Sequence, residues 1–452
     1  MMQSRVTDAP AQLPSAKRAW FVVIALSIAS IVSWIDRQII NLLVEPIKAD
    51  LALSDVQISL LQGFSFALLY ALMALPLAWI ADRHNRKWVI LGGLICWSAA
   101  TFSSGLAMGF AILFMTRMLV GIGEATLAPA GFSMISDYFS KEKLPAAVSV
   151  FTGSGFIGSG FALIVGGFLY AKLEAMGPQA LPFGTFAPWQ LTFMAVALLS
   201  VPVFFLLLLV REPPRLDDNV VLATGDAPPA LEVIGFLRQR IWIFAPLMLG
   251  FACFVAAQYG IGSWAPSFFI RVHGWTQLEV GKYFGPVVML AGIGGVVVSG
   301  FLAERWLRKG LVDATIRLPV YAILLAIPCA IAFPLMGNAW VSLVLLGLVI
   351  FLGTVPFGAG VSTFPLITPN RMRAQVVAVY LLIANLLGYS AGPILIAWLT
   401  DSVFASPDAI NKSLAVASPA IMAVGVLLCV SALRPYRALA AASASTQPIQ
   451  ES

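Results

Sequence analysis

Long apolar stretches recur along the chain, each able to cross about 30 Å of hydrocarbon. They lie at 20–44, 58–81, 88–108, 111–136, 145–171, 189–210, 242–270, 283–303, 314–335, 340–364, 374–400 and 413–433. In lipid a backbone must satisfy its hydrogen bonds within its own segment, and none of these runs alternates as a barrel strand would, so each is expected to be a helix. Twelve transmembrane helices make an all-α integral membrane protein. The first run is too long for a cleavable signal and continues past Asp36, so the chain is expected to insert by its own first helix.

Most connections are short, except 211–241, where charge, Pro and Gly accumulate. That interval divides the chain into an N-terminal tail (1–19), a first six-helix bundle (20–210), a cytoplasmic linker (211–241), a second six-helix bundle (242–433) and a C-terminal tail (434–452). Within the linker, 231–240 reads either as a short amphipathic helix on the membrane surface or as plain flexible chain. A local repeat relates the bundles. Ala78-Trp-Ile-Ala-Asp82-Arg83-His-Asn-Arg86-Lys87 follows the second helix, and Gly300-Phe-Leu-Ala-Glu304-Arg305-Trp-Leu-Arg308-Lys309 follows the eighth, 222 residues later. Basic loops are expected in any membrane protein, so the informative positions are the acids and the small residue four before each. Repeats of this kind build many transporter folds, with the substrate site between the halves near the midplane.

Composition strengthens the membrane reading: 60% of the 452 residues are hydrophobic and 11% charged, against roughly 25% charged in soluble chains. A net charge of +6 raises nucleic acid as a partner, but the placement of the 27 basic residues speaks against it. With the N-terminus cytoplasmic, twenty fall on the inner side and five on the outer, leaving Arg37 and Arg117 inside helices. This bias puts both termini in the cytoplasm of a multi-pass cell-membrane protein. Cys96, Cys253, Cys329 and Cys429 stand singly in apolar runs, and with two His they offer neither a metal cluster nor a disulfide framework. No cofactor or metal is expected, nor the nucleophile or metal constellation of an enzyme. No P-loop is visible, so energy must come from gradients.

Four ionisable residues fall well inside the expected spans: Asp36 and Arg37 in the first helix, Arg117 and Glu124 in the fourth. Such charges are costly in lipid and therefore functional candidates. At 1.5 Å per residue, Asp36 and Arg117 share a level about 9 to 12 Å below the outer ends of their helices, and are expected to pair. Glu124, seven residues after Arg117, faces the same side about 10 Å nearer the centre and is expected to stand without a partner. The four charges cancel, so protonating either acid leaves a net positive cavity suited to an anionic head group. Tyr70, Tyr259, Trp264, Tyr380 and Asn385 are further residues able to line a cavity, although lipid-facing positions explain any one of them equally well.

Together, Ala78 to Lys87, its degenerate copy Gly300 to Lys309, and Arg117-Met-Leu-Val-Gly121-Ile-Gly123-Glu124-Ala125 resemble the signature motifs of the major facilitator superfamily over nearly the whole chain. Asp36-Arg37, Asp82-Arg83-His84-Asn85-Arg86-Lys87, and Arg117 to Ala125 followed by Pro129 and Asp137-Tyr-Phe look more narrowly like its spinster branch, whose members move lysolipids and sphingosine-1-phosphate. The resemblance implies two pseudo-symmetric bundles, with Asp36 and Glu124 as proton-responsive acids and Arg37 and Arg117 as their partners and contacts for a head group. It implies that Asp82 caps a second-half helix, that Arg86 pairs with Asp137 to latch an inner gate, and that Arg83, Glu304 and Arg305 belong to the same gating motifs. Ala78 departs from the usual glycine. The fifth-helix Gly-Pro of drug antiporters is missing, since Phe161 follows Gly160.

The expectation is a monomeric secondary transporter, not an enzyme, working by alternating access. Its partners are protons, membrane lipids and an amphiphilic small molecule of the lysolipid or sphingosine-phosphate kind. The alternative is a proton-coupled carrier of small organic anions such as sugar acids or aromatic carboxylates.

Overall fold

The structure, a computed structural model, describes residues 15–140, 142–182, 184–213 and 229–445. Residues 214–228 of the expected linker lie outside them, as do the ends of both expected tails. Among the described residues twelve long helices follow one another. The first six are α1 (Ala16–Leu42), α2 (Asp55–Arg83), α3 (Arg86–Ser104), α4 (Phe110–Tyr138), α5 (Leu144–Met176) and α6 (Pro188–Leu208). The second six are α7 (Ile241–His273), α8 (Gln277–Arg308), α9 (Ala314–Leu335), α10 (Ala339–Thr363), α11 (Arg373–Val403) and α12 (Ile410–Ser445).

Eleven of these are long and apolar enough to cross a membrane. The exception to the expected twelve is α3. Its 19 residues suffice in length, but Arg86 and Lys87 at its start and Ser98, Thr101, Ser103 and Ser104 along it dilute its hydropathy. It is packed against α4 and α6. A short helix, Ala230–Gln239, precedes α7, and Glu232 on it pairs with Arg371 at 2.5 Å. At its other end the chain remains helical through 434–445, the start of the segment expected as a tail.

The two sets of six pack alike. In the first set α1 lies on α5, α2 on α4, and α3 on α4 and α6; in the second, α7 lies on α11, α8 on α10, and α9 on α10 and α12. The repeat extends beyond the loop motif. Ser54 and Thr276, also 222 residues apart, both close capping boxes, with Gln57 and Glu279. Each is followed by a π turn, Leu60–Phe64 and Val280–Phe284. Gly63 and Gly285, at the same displacement, sit where the halves meet. Gly63 of α2 lies against the backbone of Tyr389 in α11, and a Cβ on Gly160 of α5 would come within 2.7 Å of the Gly285 carbonyl in α8. Only residues without side chains permit such approach.

Charges fasten the halves on the face away from the loop motif. There Arg271 of α7 donates to both oxygens of the buried Asp55 in α2, at 2.7 and 2.9 Å, and to Glu45 at 2.8 Å. Lys48 also pairs with Asp55. The Val56 amide donates to Asp401 of α11 at 2.8 Å, and Gln62 to the Ser263 carbonyl of α7 at 3.0 Å.

Candidate functional site

Between the halves lies a cavity of about 400 Å³. Helix α1 supplies Ser30, Ser33, Trp34, Arg37 and Gln38; α7 supplies Gln258, Tyr259 and Ser263; α11 supplies Asn385 and Tyr389. Glu124 of α4, Tyr70 of α2 and Thr152 and Ser159 of α5 add further polar groups, beside the apolar Leu127, Phe132, Phe151 and Phe156 of α4 and α5. By contrast, α8 and α10 contribute Phe284, Val288, Val296, Ile350 and Phe357, all apolar.

The four intramembrane charges are all buried, but they do not pair as their depths suggest. Glu124 accepts from Arg37, at 3.0 Å from Nε and 2.5 Å from a terminal nitrogen. Arg117 makes no ion pair with Asp36. Its two terminal nitrogens instead donate to the backbone carbonyls of Asp36 and Arg37, at 3.0 and 2.9 Å. The expected Asp36–Arg117 pair and the unpartnered Glu124 are therefore both corrected. Side chains on a helix lean toward its N-terminus, and α1 and α4 run in opposite directions. Arg37 thus leans toward the centre while Glu124 leans toward it from below, closing a gap that a count of Cα levels leaves open. The same lean carries Arg117 away from the centre.

Asp36 is left as the unusual group. It is fully buried, and neither carboxylate oxygen has a hydrogen-bond partner. The Trp97 indole of α3 faces it.

Of the aromatic and polar residues expected at a cavity, Tyr70, Tyr259 and Asn385 line this one. Trp264 and Tyr380 do not. The Trp264 indole donates to the Pro393 carbonyl at 3.0 Å inside the α7–α11 contact, and Tyr380 packs on Phe364 with ring centroids 4.6 Å apart. Sequence reasoning passed over Trp34, Phe66 and Tyr389. Trp34 stands one turn before Arg37, and Tyr389 one turn after Asn385. Those spacings were the available signal.

At the loop motif, Arg86 is 2% exposed and donates to Asp137, to the Ser133 hydroxyl at 2.9 Å and to Glu212 at 2.7 Å. Burial opposes its charge, yet Glu212 and Asp137 outweigh burial and hold its pKa above the ordinary arginine value. Glu212, beyond α6, was not foreseen. Asp82 and Arg83 are exposed, with Arg83 stacked on Trp79 at 4.0 Å. In the second copy Glu304 and Arg305 are also exposed, and Glu304 pairs with Arg308 at 2.5 Å.

This architecture has known counterparts. An MFS-type efflux pump of Mycolicibacterium smegmatis is 27% identical over 93% of this chain and 94% of its own length. The protein spinster of Drosophila melanogaster is 24% identical over 87% of this chain and 64% of its own. A bacterial homologue of the human lysosomal transporter spinster, solved inward-facing and unoccupied, is 26% identical with a TM-score of 0.76, covering 97% of this chain and 100% of that one. The model of the Major Facilitator Superfamily matches residues 26–397. With that match spanning most of the chain and eleven helices able to cross a bilayer, this is a multi-pass membrane transporter that belongs to the Major Facilitator Superfamily.

Proposed function

We propose that this secondary transporter is coupled to protons and moves, by alternating access, an amphiphile with an anionic or zwitterionic head group, of the lysolipid or sphingosine-phosphate kind. The observation that carries the reading is the division of the cavity wall. Polar groups come from α1, α2, α4, α5, α7 and α11, while α8 and α10 offer only apolar side chains, continued by Leu127 and Phe132 of α4 and Phe151 and Phe156 of α5. A molecule with a polar end and a hydrocarbon end matches such a wall, and the likeness to spinster proteins supports the same class.

In this reading Asp36 and Glu124 take up and return the proton. Arg37 and Arg117 balance their charge, and Arg37 meets the anionic part of the head group. The motif residues Asp82, Arg83, Arg86, Asp137, Glu304 and Arg305 act in gating. A small organic anion is less well served, because Arg117 is occupied by backbone carbonyls and does not line the cavity.

Proteoliposomes loaded against a pH gradient test the proposal with a labelled lysolipid. Wild-type uptake is expected to follow the gradient, and Asp36→Asn and Glu124→Gln are each expected to uncouple or abolish it. Transport by both variants at the wild-type rate, indifferent to pH, would remove proton coupling; stabilisation by sugar acids but by no lysolipid would remove the amphiphile.

A further inference from the structure

Four aromatic rings surround the Arg37 guanidinium. Their centroids lie 4.0 Å (Phe66), 4.5 Å (Trp34), 5.4 Å (Tyr70) and 5.7 Å (Tyr389) from its central carbon. Glu124 closes a further side. A single buried ion pair does not require this surround, whereas rings converging with a carboxylate form the chemistry that selects organic cations.

Missing side chains build the cage. Trp34 rests on α5, where a Cβ on Gly158 would come within 2.6 Å of the Trp34 Cβ and one on Gly155 within 2.9 Å of its indole nitrogen. A Cβ on Gly121 of α4 would come within 2.5 Å of the Phe66 carbonyl, so the glycine admits the α2 segment that carries Phe66 and Tyr70. Gly63 brings α2 against α11 beside Tyr389. Trp34, Tyr70, Tyr389 and Glu124 all line the cavity, so the cage opens into it. One carboxylate oxygen of Glu124, Oε1, is buried with no hydrogen-bond partner. It retains acceptor capacity that an N–H donor would fill.

We infer that this cage is a cation subsite that Arg37 occupies with its own guanidinium, and for which the ammonium group of a zwitterionic substrate competes. The inference rests on the amphiphile reading above and adds the chemistry of the head group, a primary ammonium beside a phosphate. On exchange the ammonium takes Glu124 and the rings, and the displaced Arg37 turns to the phosphate. One positive charge replaces another, so the site keeps its balance. A primary ammonium is preferred to a quaternary one because only the former has an N–H to give Glu124 Oε1. Tyr389 comes from α11 and the other rings from α1 and α2. The cage is therefore complete only while α2 and α11 touch, and an occupant favours that arrangement of the halves.

Equilibrium binding of radiolabelled lysophosphatidylethanolamine and lysophosphatidylglycerol of one chain length, to the purified full-length protein, tests the subsite. The ammonium lipid is expected to bind about tenfold more tightly. Phe66→Leu is expected to erase that difference, and Tyr389→Leu serves if the first variant does not fold. Equal affinities in the wild type overturn the cage and leave the amphiphile reading standing, while binding of neither lipid overturns both. A second readout needs no lipid. Millimolar ethylammonium is expected to raise the melting temperature of Arg37→Ala and not that of the wild type; the same response from both proteins overturns the subsite.

Discussion

Arg86 and Arg308 occupy equivalent positions 222 residues apart, yet the Arg86 side chain is 2% exposed and the Arg308 side chain 79%. Arg86 gathers Asp137, Glu212 and Ser133 around the end of α4 and the chain beyond α6. Arg308 has its own-helix neighbour Glu304, itself exposed. The same division recurs in the cavity. The first half carries the charges there, Arg37 and Glu124, while the second half lines it with uncharged side chains, polar from α7 and α11 and apolar from α8 and α10. Two halves can share a packing plan without sharing chemistry, because helix contacts are set by small residues and cap positions, whereas charge is set by a few substitutions that the packing tolerates.

Four substitutions probe this contrast. Arg86→Ala is expected to have the largest effect, about 3–5 kcal/mol of stability, because it strands two carboxylates on a buried partner site; thermal unfolding in detergent measures it. Gly63→Val is expected to cost about 3 kcal/mol by forcing α2 away from α11. Crosslinking between α2 and α11 should fall in parallel. Arg271→Ala is expected to cost about 1–3 kcal/mol, since Asp55 keeps Lys48 but loses its stronger partner. Cysteine labelling on the face away from the loop motif should rise in that variant. Arg308→Ala is expected to change stability by less than about 0.5 kcal/mol, as an exposed pair one turn apart on a helix. An Arg308 effect as large as that of Arg86 would show that the second copy is not the surface feature described here.

Much of the fold was legible because a membrane helix announces itself by the length of an apolar run. The exception, α3, shows the limit of that signal. A helix that opens on Arg86-Lys87 and carries four hydroxyl residues on its later turns looks weak by hydropathy and still packs between its neighbours. For the site, sequence identified the four charges, because any charge inside such a run is conspicuous. It did not identify their partners. Depth along an axis follows backbone levels, while partnership is decided by the opposed lean of side chains on antiparallel helices. Aromatic residues were harder still. Tyr70 reaches the cavity and Tyr380 does not, although both sit in long apolar runs with no local feature to separate them. Which face of a buried helix turns inward is fixed by its neighbours, and these come from distant parts of the sequence.

The glycine seams have a consequence for how the chain tolerates change. At Gly63, Gly121, Gly158 and Gly285 the added methyl of alanine would meet a neighbouring backbone or side-chain stem at closer than ordinary contact. A saturation scan should therefore find these four positions as intolerant as Asp36 or Glu124, although none of them can touch a proton or offer a charge. Ranking positions by intolerance alone would mix two kinds of residue. Separating them needs abundance scored beside transport: glycine variants should lose both together, and the acids should lose transport while the protein persists.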